Sequence, residues 1–580
     1  MSAETQTMQS PQFNNHINFL VNKFYEFMGE CYVQYKLNPP ENNQQFVDYF
    51  LYKLYFNYGV KRRYLYTADM LAQFQQEDAQ IQQDVNTEKP KRVSPYVVLY
   101  YVKSLKGYKT NEPITQLCRH LIINTNNMRI ISLGIPKSIK IDDFLQRYEI
   151  ERDNLDTSFI KNDAGERDKI KYRVYKFPEG TMITYNPSMR LLNTSTITTQ
   201  TDVDNEENDE GDVINHSQQQ LAEENMKRQY SEFIKYSTRK IVGTGRFTSM
   251  KTFAMMFEEN NHLSQANLDK IPDEIIADTV LVFNIEHPEN KMIAASVRNC
   301  NTLCAVYRFK NETLVKQQWD AIKAISFNEE QIGNIKAAFR VLGEGMVTQI
   351  HVANFKKQVA QFGVNLYLPE VISSFEKQNS ETVGERVVVP IDTITIEQLV
   401  NIVGTKNKQF QGFIIYGING ERTKIVNPRY RELRELKGNK PITLEPWNMK
   451  NLFFIYWKLM KEGKIETFLG EFQNEMYCYG PNNYANMFGW FAECVRSFAR
   501  GLYNTYQNAF VKRSMAKYDI PFTMKPLCGE LHKAYTATKL PTSITMVEQF
   551  MFNMPAGKVF WRIFGGSIDN QQGMRQEQQI

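Results

Sequence analysis

No stretch of about 18 apolar residues occurs anywhere in the 580-residue chain, so nothing in it reads as a membrane-spanning helix. The opening residues MSAETQTMQSPQFNN lack both the basic start and the apolar run of an export signal, and neither secretion nor membrane insertion is expected. Cysteine is sparse: seven residues, Cys31, Cys118, Cys300, Cys304, Cys478, Cys494 and Cys528, lie scattered. The only close pair, Cys300 and Cys304, has no second pair and no nearby histidines to complete a zinc site, which leaves reduced thiols in a cytoplasmic setting as the expectation. Strong charge of either sign is missing too. The net +5, with a pI near 8.5, suits a phosphate-bearing partner but falls short of the basicity that marks a nucleic-acid binder by itself.

What is present is ordinary globular composition, 42% hydrophobic and 23% charged, enough for two or three cores in a soluble multidomain protein. From about Asn15 to Gln83, INFLVNKFYEFMGECYVQYKL and FVDYFLYKLYFNYGV carry aromatic and aliphatic residues three and four apart, the period of amphipathic helices. Tyrosines and phenylalanines alternate there with Lys61, Arg62 and Arg63. A nucleic-acid platform is one reading, and a packed helical pair with a basic turn is the plainer one. The polar stretch Gln75 to Arg92 then reads as a linker, so residues 1–92 are expected to form a helical N-terminal extension with a domain boundary at its end.

From Val93 the texture turns to short β-rich runs. Pro113 to Phe144 reads as two strands joined by a turn at Asn124 to Asn127, followed by a loop holding Lys137. The stretch RVYKFPEGTMIT, Arg173 to Thr184, reads as a strand that ends in a tight glycine turn and restarts as a second strand. Leu191 to Asn225 is acidic, polar and free of aromatics, and is expected to be a disordered insertion. The strand expected at IKYSTRK would then lie beside Tyr185 as a hairpin partner. TVLVFNIEHPENKMIA from Thr279 reads as a core strand capped by a proline turn, and Asn419-Gly420 marks a hairpin between QGFIIY and TKIV. Beyond a Pro441 to Pro446 linker, residues 441–570 are helical in pattern, with a frayed Gln-rich tail at 571–580.

Taken in order and spacing, these segments resemble the RNA ligase 1 family of ATP-dependent ligases in the nucleotidyltransferase superfamily, in a divergent copy like those of large DNA viruses. The resemblance runs from about Pro113 to Pro555. It implies an α+β fold: an antiparallel-rich nucleotidyltransferase (ATP-grasp-like ligase) domain over 93–440, with the helical extension before it and an all-helical domain over 441–570 that helps engage RNA. It also implies ATP and Mg2+ as cofactors if the chain is active, with a lysine attacking the α-phosphate in line with the departing pyrophosphate.

Residue by residue, the resemblance is uneven. Arg119 and Lys137 match basic positions, while His120 stands where a glycine is usual. In YKFPEGT, Glu179, Gly180 and Thr181 match the nucleophile motif, but Phe177 holds the lysine's place. Lys176, one residue early, is the shifted nucleophile candidate, and strand alternation aims it away from the pocket unless Pro178 makes a bulge. Arg239 and Lys240 match the family's nucleotide-side cations, and Asn290 and Lys291 match the segment after the core strand. Asn284 replaces a carboxylate, leaving Glu286 as its substitute in catalysis and as a metal ligand. Gln411 replaces an acid that helps hold metal; Lys424 is retained, and Val426 replaces a second lysine. His532, in the helical domain, is more simply a structural hydrogen-bonder than a catalyst.

Two functions therefore stand side by side. One is an RNA ligase-like protein, inactive or weakly active, that binds nucleotide or nucleic acid and takes protein partners through its N-terminal extension. The other is an active ATP-dependent RNA ligase that joins RNA ends through a lysyl-adenylate. Either is expected in the cytoplasm, that of a host or a virion if the chain is viral.

Overall fold

The computed structural model describes residues 14–40, 45–67, 95–101, 112–187, 197–200, 233–235, 251, 253–260, 263–288, 293, 299–378, 386–438, 449–472 and 484–565. It is an α+β protein of helices and antiparallel sheets. The described residues up to Arg431 form one compact unit and those from Glu432 onward a second.

Helix α1 (Asn14–Leu37) buries Ile17, Leu20, Val21, Phe24, Met28, Cys31 and Tyr32, the stripe its three-and-four spacing dictates. Its partner is the helix Ile332–Gly343, and two glycines allow the approach. A Cβ on Gly29 would lie 3.0 Å from Phe339, and one on Gly343 would lie 2.9 Å from Tyr25. Helix α2 (Phe46–Tyr58) stops at Gly59, whose φ of 64° is the left-handed cap, and the chain enters β1 (Val60–Thr67) at once.

That strand corrects the expected helical extension over 1–92. β1 pairs antiparallel with β2 (Tyr96–Tyr101), Val60 opposite Tyr101, in a sheet that continues through β3 (Leu121–Asn124) and β4 (Arg129–Leu133). Helices α1 and α2, this sheet and the helices Glu312–Ala324 and Ile332–Gly343 share one hydrophobic core. The apolar stripes of the first helices are buried by partners far along the chain, so no compact boundary falls before Val93. The Asn124 to Asn127 turn is where the sequence puts it, held by Asn124 Oδ1 accepting from Asn126 N–H and Asn127 Oδ1 from Arg129 N–H. A short helix, Pro113–Leu117, precedes it.

After a small hairpin of β5 (Phe159–Lys161) and β6 (Arg167–Ile170), strands β7 (Tyr172–Lys176) and β8 (Thr181–Tyr185) follow one another but enter different sheets. Strand β9 (Ile197–Gln200) pairs antiparallel with β1, Thr67 opposite Ile197, and forms an edge of the first sheet. The expected disordered insertion, 191–225, thus contains a strand. Its run of Ile197, Thr198 and Thr199 is β-branched, a local preference that the acidic composition of the whole window conceals. Strand β10 (Phe233–Lys235) pairs with β8, Phe233 opposite Tyr185.

β8 also pairs with β11 (Thr279–Glu286), which pairs with β12 (Cys300–Phe309), and β13 (Val347–Ile350) closes this sheet. β14 (Ser374–Gln378) and β15 (Arg386–Pro390) form a separate ribbon. Strands β16 (Gly412–Gly417) and β17 (Arg422–Val426) make the hairpin at Asn419-Gly420, and β7 joins β16 on its other side. His16, at the start of α1, is tied to that hairpin: its N–H donates to the Asn419 carbonyl, and its ring Nδ1 lies 3.6 Å from Glu421 Oε1. Tyr148 O–H donates to the other oxygen of Glu421 at 2.5 Å.

The second unit is helical, with the rings of Phe453 and Phe491 in contact with each other and each with those of Tyr456 and Phe564. Among the described residues no helix is long and apolar enough to cross a membrane.

Candidate functional site

The three-stranded sheet of β7, β16 and β17 has two unlike faces, and the pairing register sorts them. Tyr172 and Val174, Phe413 and Ile415, and Ile425 alternate onto one face and enter an apolar core. Arg173, Tyr175, Ile414, Tyr416, Arg422 and Lys424 alternate onto the other, Ile414 lying opposite both Tyr175 and Lys424, and Tyr416 opposite both Arg173 and Arg422. This second face is a half-buried mixture of cations and aromatic rings, with Tyr175 and Tyr416 edge to face at 5.4 Å.

Lys176 and Phe177 part company here. Lys176 keeps the parity of Val174, lies exposed at the strand end, and places its Nζ 3.5 Å from Glu370 Oε2 while its N–H donates to the Glu370 carbonyl. Phe177 extends the ladder by one residue, its N–H donating to the Gly412 carbonyl at 2.9 Å. Its ring carries Lys424, whose Nζ is 4.3 Å from the ring centre. No bulge at Pro178 turns Lys176 around; the residue at the lysine's expected place is a phenylalanine under the surviving cation.

The loop from Phe177 to Gly180 crosses from this sheet to the five-stranded one. Gly180 backs directly onto β11: a Cβ there would lie 2.7 Å from both amide atoms of Asn284 and 2.6 Å from the Ile285 carbonyl oxygen. The Glu179 carboxylate accepts from Ile293 N–H with both oxygens, at 2.9 and 3.1 Å, and so clamps backbone. Asn284 is 5% exposed, and its Nδ2 has no hydrogen-bond partner. Gln411 is 7% exposed, and its Oε1 is likewise unpartnered. The following Gly412, at φ 143°, leaves no room for a Cβ against the Ile425 carbonyl.

A bulge in β12 puts a thiol where groups from both sheets bear on its titration. Between Val282 opposite Ala305 and Phe283 opposite Leu303, Cys304 is the extra residue of β12. Burial pushes its thiol up to about 12; Arg422 and the backbone at Asn284 act against that rise, while Glu286 and Cys300 add to it. Arg422 from the hairpin and Glu286 from β11 therefore act on one thiol. Arg422 is buried and donates through Nε to the Pro136 carbonyl, bringing the loop of Lys137 into the same neighbourhood. His351 is held below its usual pKa by burial and then by Arg173.

Of the other expected site residues, Arg119 sits in the turn before β3, and its charge opposes the burial-driven rise of the Tyr101 phenol. Lys137 Nζ lies 6.0 Å over the Tyr101 ring. His120 is buried, and burial lowers its pKa to about 4. Arg239, Lys240, Asn290 and Lys291 lie outside the described residues. Among the described residues no group of three or more His, Cys, Asp or Glu side chains could hold a metal ion, so Glu286 stands in no such group. The His532 ring lies tilted against that of Phe510, with ring centres 4.5 Å apart.

Sequence reasoning missed Arg173, Tyr175, Tyr416 and Arg422. The period-two alternation of RVYKF, GFIIY and ERTKIV was the available signal, and the pairing register then puts all four on the side of Lys424. Compared with known proteins, the chain matches no family model and no curated protein.

Proposed function

We propose that this chain is an RNA ligase-like nucleotide-binding protein on a nucleotidyltransferase scaffold, one that holds the phosphates of a nucleotide, free or within RNA, without forming a lysyl-adenylate. The observation that carries the reading is the divergence of two neighbours: Phe177 lies under Lys424, while Lys176 is turned out to Glu370. A nucleophile must be aimed in line with the bond it breaks, and a lysine on the opposite side of its strand cannot be. Binding needs less. Lys424 and Arg422 supply positive charge, Tyr175 and Tyr416 supply ring faces, and Asn284 Nδ2 supplies a buried donor.

Two measurements on the full chain test this: acid-stable labelling by ATP carrying its label on the α-phosphate, and equilibrium binding of ATP and of a short 5′-phosphorylated RNA. Expected are binding without an adduct, and roughly tenfold or greater weakening by Lys424→Ala, the loss of one charge-assisted contact. An adduct abolished by Lys176→Ala would instead establish the active ligase. Absence of binding to either ligand would refute the reading.

A further inference from the structure

The fold that the sequence resembles implies Mg2+ alongside ATP, and the donor set of the site can be weighed against that ion. Mg2+ seeks near-octahedral oxygen coordination and is held in nucleotide sites through one or two carboxylates together with phosphates. The strand position beside Gly180 carries the neutral carboxamide of Asn284, and the position before Gly412 carries that of Gln411. The nearest acid of the loop, Glu179, has both carboxylate oxygens on Ile293 N–H. Glu421, next to Arg422 in sequence, accepts from Tyr148 and lies within 3.6 Å of both His16 and Arg147. Glu286 remains as a single carboxylate, and among the described residues it belongs to no group of three acidic, histidine or cysteine side chains. With amides at two expected acid positions and Glu179 committed to backbone, the described residues are a poor match for the ion.

They fit an anion. Lys424 and Arg422 stand on one sheet face, and the loop that carries Phe177 under Lys424 ends three residues later against Asn284. Asn284 Nδ2 is a donor, more than nine-tenths buried and without a partner, and such a group costs about 1–3 kcal/mol until an acceptor reaches it. A phosphate oxygen is an acceptor of that kind. We infer that this site takes its nucleotide as the metal-free polyphosphate, with lysine, arginine and asparagine donors doing the neutralising that a divalent ion does elsewhere. The inference rests on the nucleotide-binding reading above and narrows it.

The test is calorimetric titration of the full chain with ATP, once in excess Mg2+ and once in EDTA. Because free ATP carries more negative charge than its Mg2+ complex, the affinity in EDTA is expected to equal or exceed that in Mg2+. A loss of roughly tenfold or more in EDTA overturns the inference and leaves the nucleotide-binding reading standing. No binding in either buffer overturns both, so the two failures are distinguishable. Asn284→Asp gives a second arm: a carboxylate there should weaken ATP binding in EDTA and make added Mg2+ improve it. The same weakening in both buffers would count against the assigned role of the Asn284 amide. The wild-type comparison carries the test even where that variant folds poorly.

Discussion

The ammonium of Lys424 lies 4.3 Å from the centre of the Phe177 ring, across a boundary where two strands of one sheet meet the loop into another. A cation over a ring face is drawn by the ring quadrupole, by about 0.5–1 kcal/mol at exposed sites and more when desolvated. The pair is half-buried, which places it toward the upper part of that range. Phe177→Leu keeps the apolar bulk and removes the quadrupole. A double-mutant cycle of Phe177→Leu with Lys424→Met, read by urea denaturation, should therefore give a coupling of about 0.5–1 kcal/mol. Strictly additive effects would show that the two groups are neighbours without being partners.

Much of this site can be read in advance, because strand alternation is local. That Lys176 and Phe177 point to opposite sides follows from the two-residue period, and the Asn419-Gly420 turn announces the hairpin. Contacts across long sequence separations are not legible in the same way. Nothing in RVYKFPEGTMIT says that β7 will pair with β16 and β8 with β11, since a hairpin and a sheet-to-sheet crossing share the same turn residues. The bulge at Cys304 is set by register against β11, and the place of α1 is set by the fit of Gly343 against Tyr25. Such features depend on three-dimensional complementarity that a window of sequence does not contain.

Gly180 has an ordinary backbone conformation but no space, so substitution there probes the crossing loop without changing turn chemistry. Gly180→Ala forces a methyl group against the Ile285 carbonyl and the Asn284 amide. Overpacking of this kind costs about 1–3 kcal/mol. Thermal unfolding should show a lower Tm, and nucleotide affinity should fall because Asn284 must move. A variant as stable as the parent would mean that the loop and β11 can separate at little cost.

β9 lies along the outer side of β1, so removing it uncovers a row of backbone donors and acceptors at an edge of the first sheet. Deleting 191–225 should raise light scattering on heating and lower the yield of monomer on size exclusion. A shorter deletion of 201–225 keeps β9 and serves as the control, with behaviour close to the parent. Equal behaviour of the two deletions would show that β9 contributes nothing to edge protection.

Two buried histidines should give the fold a defined acid sensitivity. At His16 burial lowers the pKa from 6.5 to about 4; Glu421 opposes that shift, and Arg147 and Arg422 add to it. At His120 burial alone brings the value to about 4. Both rings are thus neutral in the folded chain near neutrality, whereas in the unfolded chain they take a proton as pH drops through 6.5. Between 6.5 and about 4 the unfolded state binds more protons, so stability is fully present above that window and is lost on descending through it. Each histidine contributes a slope of about 1.4 kcal/mol per pH unit within the window. Urea denaturation of His16→Gln at a series of pH values should therefore show a shallower decline than the parent by about that slope, even if the variant begins from lower stability. Carboxylate protonation is common to both proteins and cancels in the comparison. An identical decline in parent and variant would mean that His16 titrates alike in the folded and unfolded chains, and that its contact with the Asn419 to Glu421 turn does not exclude the proton.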